Sequence, residues 1–185
     1  MPAERLKERL FNEYPIPEAL SIWREVDSAS NCDIDMLIQQ VVDDLDVDID
    51  IYESMEATGL YTQMPKGTRA ITACKLATQF QGNRYVKWNY DKVSNTCICM
   101  YIPAVIYYKR SITLEDLDTL KGAKFQYIKN ECLIRMAKKE YSYLSVVKLG
   151  SDAGQIDTNV LTTFIADMGK KQDDMKKDIM LYSNG

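Results

Sequence analysis

The chain has 185 residues, 46% of them hydrophobic and 27% charged, with a net charge of −4 and no histidine. Those proportions belong to a folded domain long enough to bury a core, and they exclude wholesale disorder and low complexity. The missing histidine excludes Ser-His-Asp and Cys-His nucleophilic sites, His-ligated metals and a His general base.

Charge is divided unevenly along the chain. Residues 1–60 carry fifteen acids and four bases, a balance of −11, whereas residues 61–185 carry nineteen bases and twelve acids, a balance of +7. This predicts an acidic N-terminal arm over 1–60 and a more basic α+β body over 61–185. Three uses of the split compete: the acidic segment packs on the body of its own chain, the basic part binds nucleic acid, or acidic and basic faces of different subunits meet. Nucleic acid is the weakest of these, because the Lys and Arg are scattered and the whole chain is acidic.

In chain order, the N-terminus MPAERLKERLFNEY has no apolar core of a secretory signal, which points to reduced, cytosolic thiols for the five cysteines. A short helix is predicted over Ala3–Phe11, ended by Pro15 and Pro17, with a second from Pro17 carrying Ala19, Leu20, Trp23 and Val26. Residues 27–32 read as a loop. Ile34, Leu37, Ile38, Val41, Val42 and Leu45 recur at helical spacing. The segment from Asp43 to Glu53, DDLDVDIDIYE, then alternates acids with Leu45, Val47, Ile49 and Ile51. As a calcium loop starting at Asp46 it fails, since Ile51 and Ala57 stand where Gly and Glu are required. Period-two alternation predicts an extended segment with an acidic and an apolar face, suited to an edge strand or a docking arm.

The segment Ala70–Phe80 is ambiguous between strand and helix. Residues 84–101 predict a β-hairpin turning at Asp91–Asn95, with Trp88 and Tyr90 read as core. Cys97 and Cys99 share one face of the returning strand, where they read as small buried residues. With no His and no second Cys pair nearby, zinc is not expected, and no cofactor is assigned. The uncharged run Val93–Tyr108 is too short to cross a bilayer and is broken by Pro103, so it reads as two strands. A further strand is predicted over Ala104–Tyr108, then long helices over 114–149 and 158–181, the first capped by Thr113. The predicted fold class is α+β: a small antiparallel sheet or hairpin packed with long C-terminal helices and preceded by an acidic, partly helical arm.

The chain carries no G-x-x-x-x-G-K-[ST], no G-x-G-x-x-G and no triad. Asp43, Asp44, Asp46 and Asp48 offer carboxylates for Mg²⁺ only if a loop gathers them; a solvated acidic face is the simpler reading. The expectation is therefore no enzyme, and no catalytic, cofactor or metal residue.

From Trp88-Asn-Tyr-Asp91 onward the pattern resembles small virion structural proteins of tailed bacteriophages, of the neck, connector or baseplate. The features run in order over about residues 65–180: Met64-Pro65, the hairpin Trp88–Tyr101, the strand Val105–Tyr108, a Leu-Glu-Asp start at Leu114 to a long helix, then Ile156-Asp157 and a last helix. Leu149-Gly150 falls late for that pattern, Asp157 is followed by Thr158, and the acidic N-terminal region has no counterpart in it. The resemblance implies a ring subunit with no catalytic residues, located in the virion after synthesis in the host cytoplasm. Its partners would be copies of itself and neighbouring virion proteins, with no membrane, at most indirect nucleic acid, and no small-molecule substrate. The faces nominated for assembly are Asp44, Asp46, Asp48, Asp50 and Glu53 on one side, and Lys138, Lys139, Lys170, Lys171, Lys176 and Lys177 on the other. The alternative is a non-viral cytoplasmic adaptor that binds a basic partner through the acidic arm.

Overall fold

The computed structural model describes residues 2–17, 20–23, 33–45, 49–77, 84–147 and 158–183. The chain is α+β, with four helices and two three-stranded antiparallel sheets among the described residues. It divides into two units: a helical one, Met1–Val47 with Thr113–Gly185, and a β unit, Asp48–Ile112, set into the chain between them. The division therefore falls at 47/48 and 112/113, not at the 60/61 boundary drawn from charge. Contacts, not net charge, define a folding unit, and the first helices find their partners beyond residue 113.

In the helical unit, α1 (Glu4–Glu13) and α2 (Ile34–Asp43) both pack on α3 (Gly122–Val147). Leu6 and Leu10 are the apolar stripe of α1, and Leu37, Ile38 and Val41 that of α2. Asp33 caps α2, its carboxylate accepting from the backbone N–H groups of Asp35 and Met36. The N-terminal helices are thus part of the folded unit and not an arm. Beyond α1, the Trp23 indole is buried and donates to the Met136 carbonyl at 3.0 Å. Leu20 and Ser21 N–H groups turn back onto the Pro17 carbonyl, and residues 20–23 form no α-helix where one is expected from Pro17; its residues 18–19 and 24–26, with the 27–32 loop, lie outside the described residues.

The helix expected over 114–149 is two elements. A 3-10 turn, Leu114–Asp118, starts where Thr113 donates its N–H to Asp116 Oδ2 at 2.7 Å, and α3 begins only at Gly122. Gly122 has φ +72°, a left-handed conformation that redirects the chain and that a side chain would disfavour. The last helix, α4 (Thr158–Ser183), buries Leu161, Met168 and Ile179 of the expected stripe. Tyr14 meets Phe164 edge-on and bonds Glu140, while Gln172 donates to the Tyr127 carbonyl, which sets α3 and α4 antiparallel.

In the β unit, one sheet has the order β1-β6-β3, with β1 at Asp50–Glu56, β6 at Ala104–Ser111 and β3 at Thr68–Leu76. The other has the order β2-β5-β4, with β2 at Tyr61–Gln63, β5 at Thr96–Cys99 and β4 at Trp88–Asp91. The ambiguous segment Ala70–Phe80 resolves as strand through Leu76, and its residues 78–80 lie outside the described residues. The β4–β5 hairpin turns where expected: Asp91 accepts from Val93 N–H and from the Ser94 hydroxyl, and Asn95 takes φ +53°. Residues 84–86 pair antiparallel with the end of β3, Val86 N–H donating to the Cys74 carbonyl at 2.8 Å, and the Cys74 side chain meets those of Cys97 and Cys99. Cys74, Cys97, Cys99, Ile106, Met64 and Tyr108 form the core between them.

Candidate assembly surface

Three of the five acids nominated for assembly lie in the described residues, and each has a partner in its own chain. Asp44, at the end of α2, is 3.3 Å from Arg135 of α3. Asp50 opens β1 and lies 3.3 Å from Arg69 and 3.4 Å from Lys109. The pairing register explains this: Asp50 and Lys109 occupy the same face of β1-β6, and a register shift between Thr68 and Ala70 presents Arg69 from β3. Glu53 accepts 2.8 Å bonds from the Arg110 guanidinium and from the Tyr108 hydroxyl. Burial first, then the Glu53 carboxylate beside it, pushes the Tyr108 phenol up to about 12. Asp46 and Asp48 lie outside the described residues.

The edge-strand reading of this segment agrees with the structure, since β1 is the outer strand of its sheet. Ile49 is buried and Ile51 faces inward with Arg110, as the alternation requires. Glu53 breaks that rule: it falls on the inward face and is satisfied there by Tyr108 and Arg110.

The six lysines are strung along two helices. Lys138 and Lys139 are exposed on α3, and Lys139 sits 5.3 Å over the Trp23 ring. Lys170, Lys171 and Lys177 are exposed on α4, and Lys176 is half-buried. Because the helices are antiparallel, Lys176 and Lys177 lie level with residues near Tyr127, about 18 Å along the axis from Lys139 at 1.5 Å per residue. Asp173, Asp174 and Asp178, all exposed, alternate with the α4 lysines. This is a mixed wet face, not a single basic patch.

Several exposed apolar groups lie at one end of the β2-β5-β4 sheet, while others, Val93 and Tyr85 among them, are scattered elsewhere. Tyr61 is 66% exposed, Tyr101 66%, Ile102 58% and Met100 51%. Tyr61 pairs with Ile98, Cys99 N–H donates to the Leu60 carbonyl, and Met100 N–H to the Lys87 carbonyl. Leu60, Tyr61, Trp88 and Met100 therefore occupy neighbouring rungs, Tyr61 on the face of Ile98 and Trp88 on the opposite face with Cys99, and Tyr101 and Ile102 continue the chain from them. Trp88 is 37% exposed, which corrects its assignment to the core, while Tyr90 packs against the core and donates to Asn95 Oδ1. Sequence reasoning missed this surface because alternation predicts which side chains share a face, not whether the far end of a sheet is covered.

Two buried polar features stand apart. Glu140 of α3 is fully buried; it accepts from the Ser21 hydroxyl at 2.8 Å, Ile22 N–H at 3.2 Å and the Tyr14 hydroxyl at 3.2 Å. Burial pushes its carboxyl up, against the opposing pull of those three donors. In the β unit, Cys74 meets the two strand cysteines to form a buried cluster of three thiols. No fourth His, Cys, Asp or Glu joins them among the described residues. Two depressions on the helical unit each present one carboxylate, Asp35 in one and Asp167 in the other, and neither brings together a pair for acid–base chemistry. Among the described residues, no helix is long and apolar enough to cross a membrane.

Neither the protein-family models nor the curated proteins searched contain a match to this chain.

Proposed function

We propose that the protein is an assembly component, acting by protein–protein contact, and that it serves as a subunit of a ring joining parts of a tailed-phage particle at the head-to-tail neck or, alternatively, in the baseplate. The observation that carries the assembly reading is the number of exposed apolar side chains at one end of the β2-β5-β4 sheet, Tyr61, Met100, Tyr101 and Ile102, with the partly exposed Trp88 on the other face of the same rungs. Contiguous apolar surface rich in aromatic residues and Met is what protein interfaces bury, whereas single exposed apolar residues mean little. The virion reading rests on the order of hairpin and helices from Met64 onward.

The contact chemistry differs from a purely charge-driven one. Asp44, Asp50 and Glu53 already have cationic partners in their own chain, which favours apolar burial over charge as the main source of affinity. The test is the mass distribution of the purified chain at low and high salt, alone and with candidate neighbours from the particle. A discrete closed oligomer, or a defined complex with a neighbour, that persists at high salt supports this function. A one-to-one complex with a basic protein that dissolves with salt supports the adaptor reading instead. A monomer inert toward every neighbour at both salts removes the proposal.

A further inference from the structure

The three thiols of the β unit are arranged as a ligand set. Cys97 and Cys99 point from one face of β5, and Cys74 of β3 lies above them; the Sγ separations are 4.0 Å for Cys74–Cys97, 3.8 Å for Cys97–Cys99 and 3.6 Å for Cys74–Cys99. An atom at the centre of that triangle is about 2.2 Å from each sulfur, against roughly 2.3 Å for a zinc–thiolate bond. A three-coordinate trivalent ion is pyramidal and lies out of that plane, so the three sulfurs draw together slightly when it binds. The same separations also suit three reduced thiols in simple contact, so the occupant must be argued from charge and coordination number.

The surroundings make that choice. The cluster is packed among Met64, Ile71, Val86, Ala104 and Ile106, with Met55 and Leu76 at its margin, and none of these carries a charge. Three thiolates bring three negative charges into this apolar core. A monovalent ion such as Cu(I) leaves two of them uncompensated and a divalent ion such as Zn²⁺ leaves one, each a heavy desolvation cost. Zinc also lacks its fourth ligand among the described residues. A trivalent, three-coordinate thiophilic ion leaves no net charge. We propose that Cys74, Cys97 and Cys99 form a capture site for such an ion, of the arsenic(III), antimony(III) and bismuth(III) class.

With arsenite the reaction is a condensation without redox change. As(OH)₃ and three protein thiols give As(S–Cys)₃ and three waters: three As–O and three S–H bonds break, three As–S bonds form, and each thiol proton leaves on a departing hydroxyl. Because the sulfurs are buried, uptake proceeds through local opening of the β unit.

The test uses the intact, fully reduced chain with inorganic arsenite, and with Zn²⁺ and Cu(I) in parallel. The expected result is one arsenic per chain by native mass spectrometry, with a mass gain of one arsenic less three hydrogens. Three cysteines become resistant to alkylation in denaturant, and the melting temperature rises. The three-thiol adduct, read from its mass and from three protected cysteines, is lost in Cys97→Ser and in Cys99→Ala, each verified as folded by circular dichroism, and is retained when Cys32 and Cys132 are both replaced by Ala. Failure of the wild-type chain to take up arsenite at equilibrium overturns the site. Capture of Zn²⁺ or Cu(I) in preference to arsenite, or uptake unaffected by loss of Cys97 and Cys99, overturns it as well.

Discussion

At the residue scale, the most demanding side chain is Glu140. A carboxylate fully removed from water is tolerated because two hydroxyls and a backbone N–H aim at it, and those donors in turn fix Tyr14 and the Ser21–Ile22 segment onto α3. Replacing Glu140 with Ala strands all three donors and opens a cavity, so a loss of about 3 kcal/mol is expected in denaturant unfolding. The pH dependence has a definite sign. Burial raises the folded-state value, so the folded chain binds this proton more tightly than the unfolded one. The resulting stabilisation is fully present below the ordinary glutamate value and is lost as pH rises through the raised one. The stability of the wild type relative to Glu140→Gln should therefore increase as pH falls from neutrality, and a difference flat in pH would contradict this assignment. Tyr108 offers a spectroscopic counterpart. With Glu53→Gln the phenol should titrate below its present value of about 12, yet remain above an ordinary tyrosine because burial persists.

At the scale of elements, the β4–β5 hairpin depends on one turn residue. Asn95 takes φ +53°, accepts from the Tyr90 hydroxyl at 2.6 Å, and donates from Nδ2 to the Met64 and Pro65 carbonyls at 2.9 and 3.0 Å. It therefore both sets the turn and ties it to the end of β2. Asn95→Gly keeps the backbone conformation and loses only the side-chain bonds, whereas Asn95→Ala adds left-handed strain of about 1 kcal/mol. Thermal melts should rank wild type above Gly and Gly above Ala; equal melting of Gly and Ala would show that the turn carries no strain. The edge strand has a similar logic. Asp50 lies between Arg69 and Lys109, so Asp50→Ala should cost about 1 kcal/mol, an amount typical of a partly exposed pair. Asp50→Lys would set a third cation beside those two and lower stability further.

At the scale of the whole molecule, that pairing changes how the charge split must be tested. Reversing Asp46 and Asp48 to Lys probes assembly while leaving the pairs of Asp50 with Arg69 and Lys109 in place, whereas adding Asp50 to the set destabilises the β unit and confuses weakened association with unfolding. If apolar burial by the β2-β5-β4 end dominates assembly, Tyr101→Ser with Ile102→Ser should weaken association at least tenfold by analytical ultracentrifugation. The Asp46/Asp48 reversal should change it less than threefold at physiological salt, where the range of a charge through solvent is about 8 Å. The opposite ranking would return the charge split to the centre of the assembly mechanism.

Much of the local structure was legible in the chain itself. Apolar spacing located α2 and α4, alternation and the Asp91–Asn95 turn residues located the hairpin, and acids between apolar residues marked β1 as an edge strand. These are short-range consequences of side-chain periodicity and turn chemistry. The candidate site was far less legible. The acidic segment was visible as a pattern, but its partners Arg69, Lys109, Arg110 and Arg135 were not, because ion pairing depends on strand register and helix contact between residues far apart in sequence. The break before Gly122 followed from one backbone conformation that no composition reveals. Cys97 and Cys99 could be placed on one face by their spacing of two. Only the return of the chain at residues 84–86 alongside β3, which lays Cys74 over that face, made three thiols of the pair; periodicity acts within an element, and their meeting is a property of how elements are stacked.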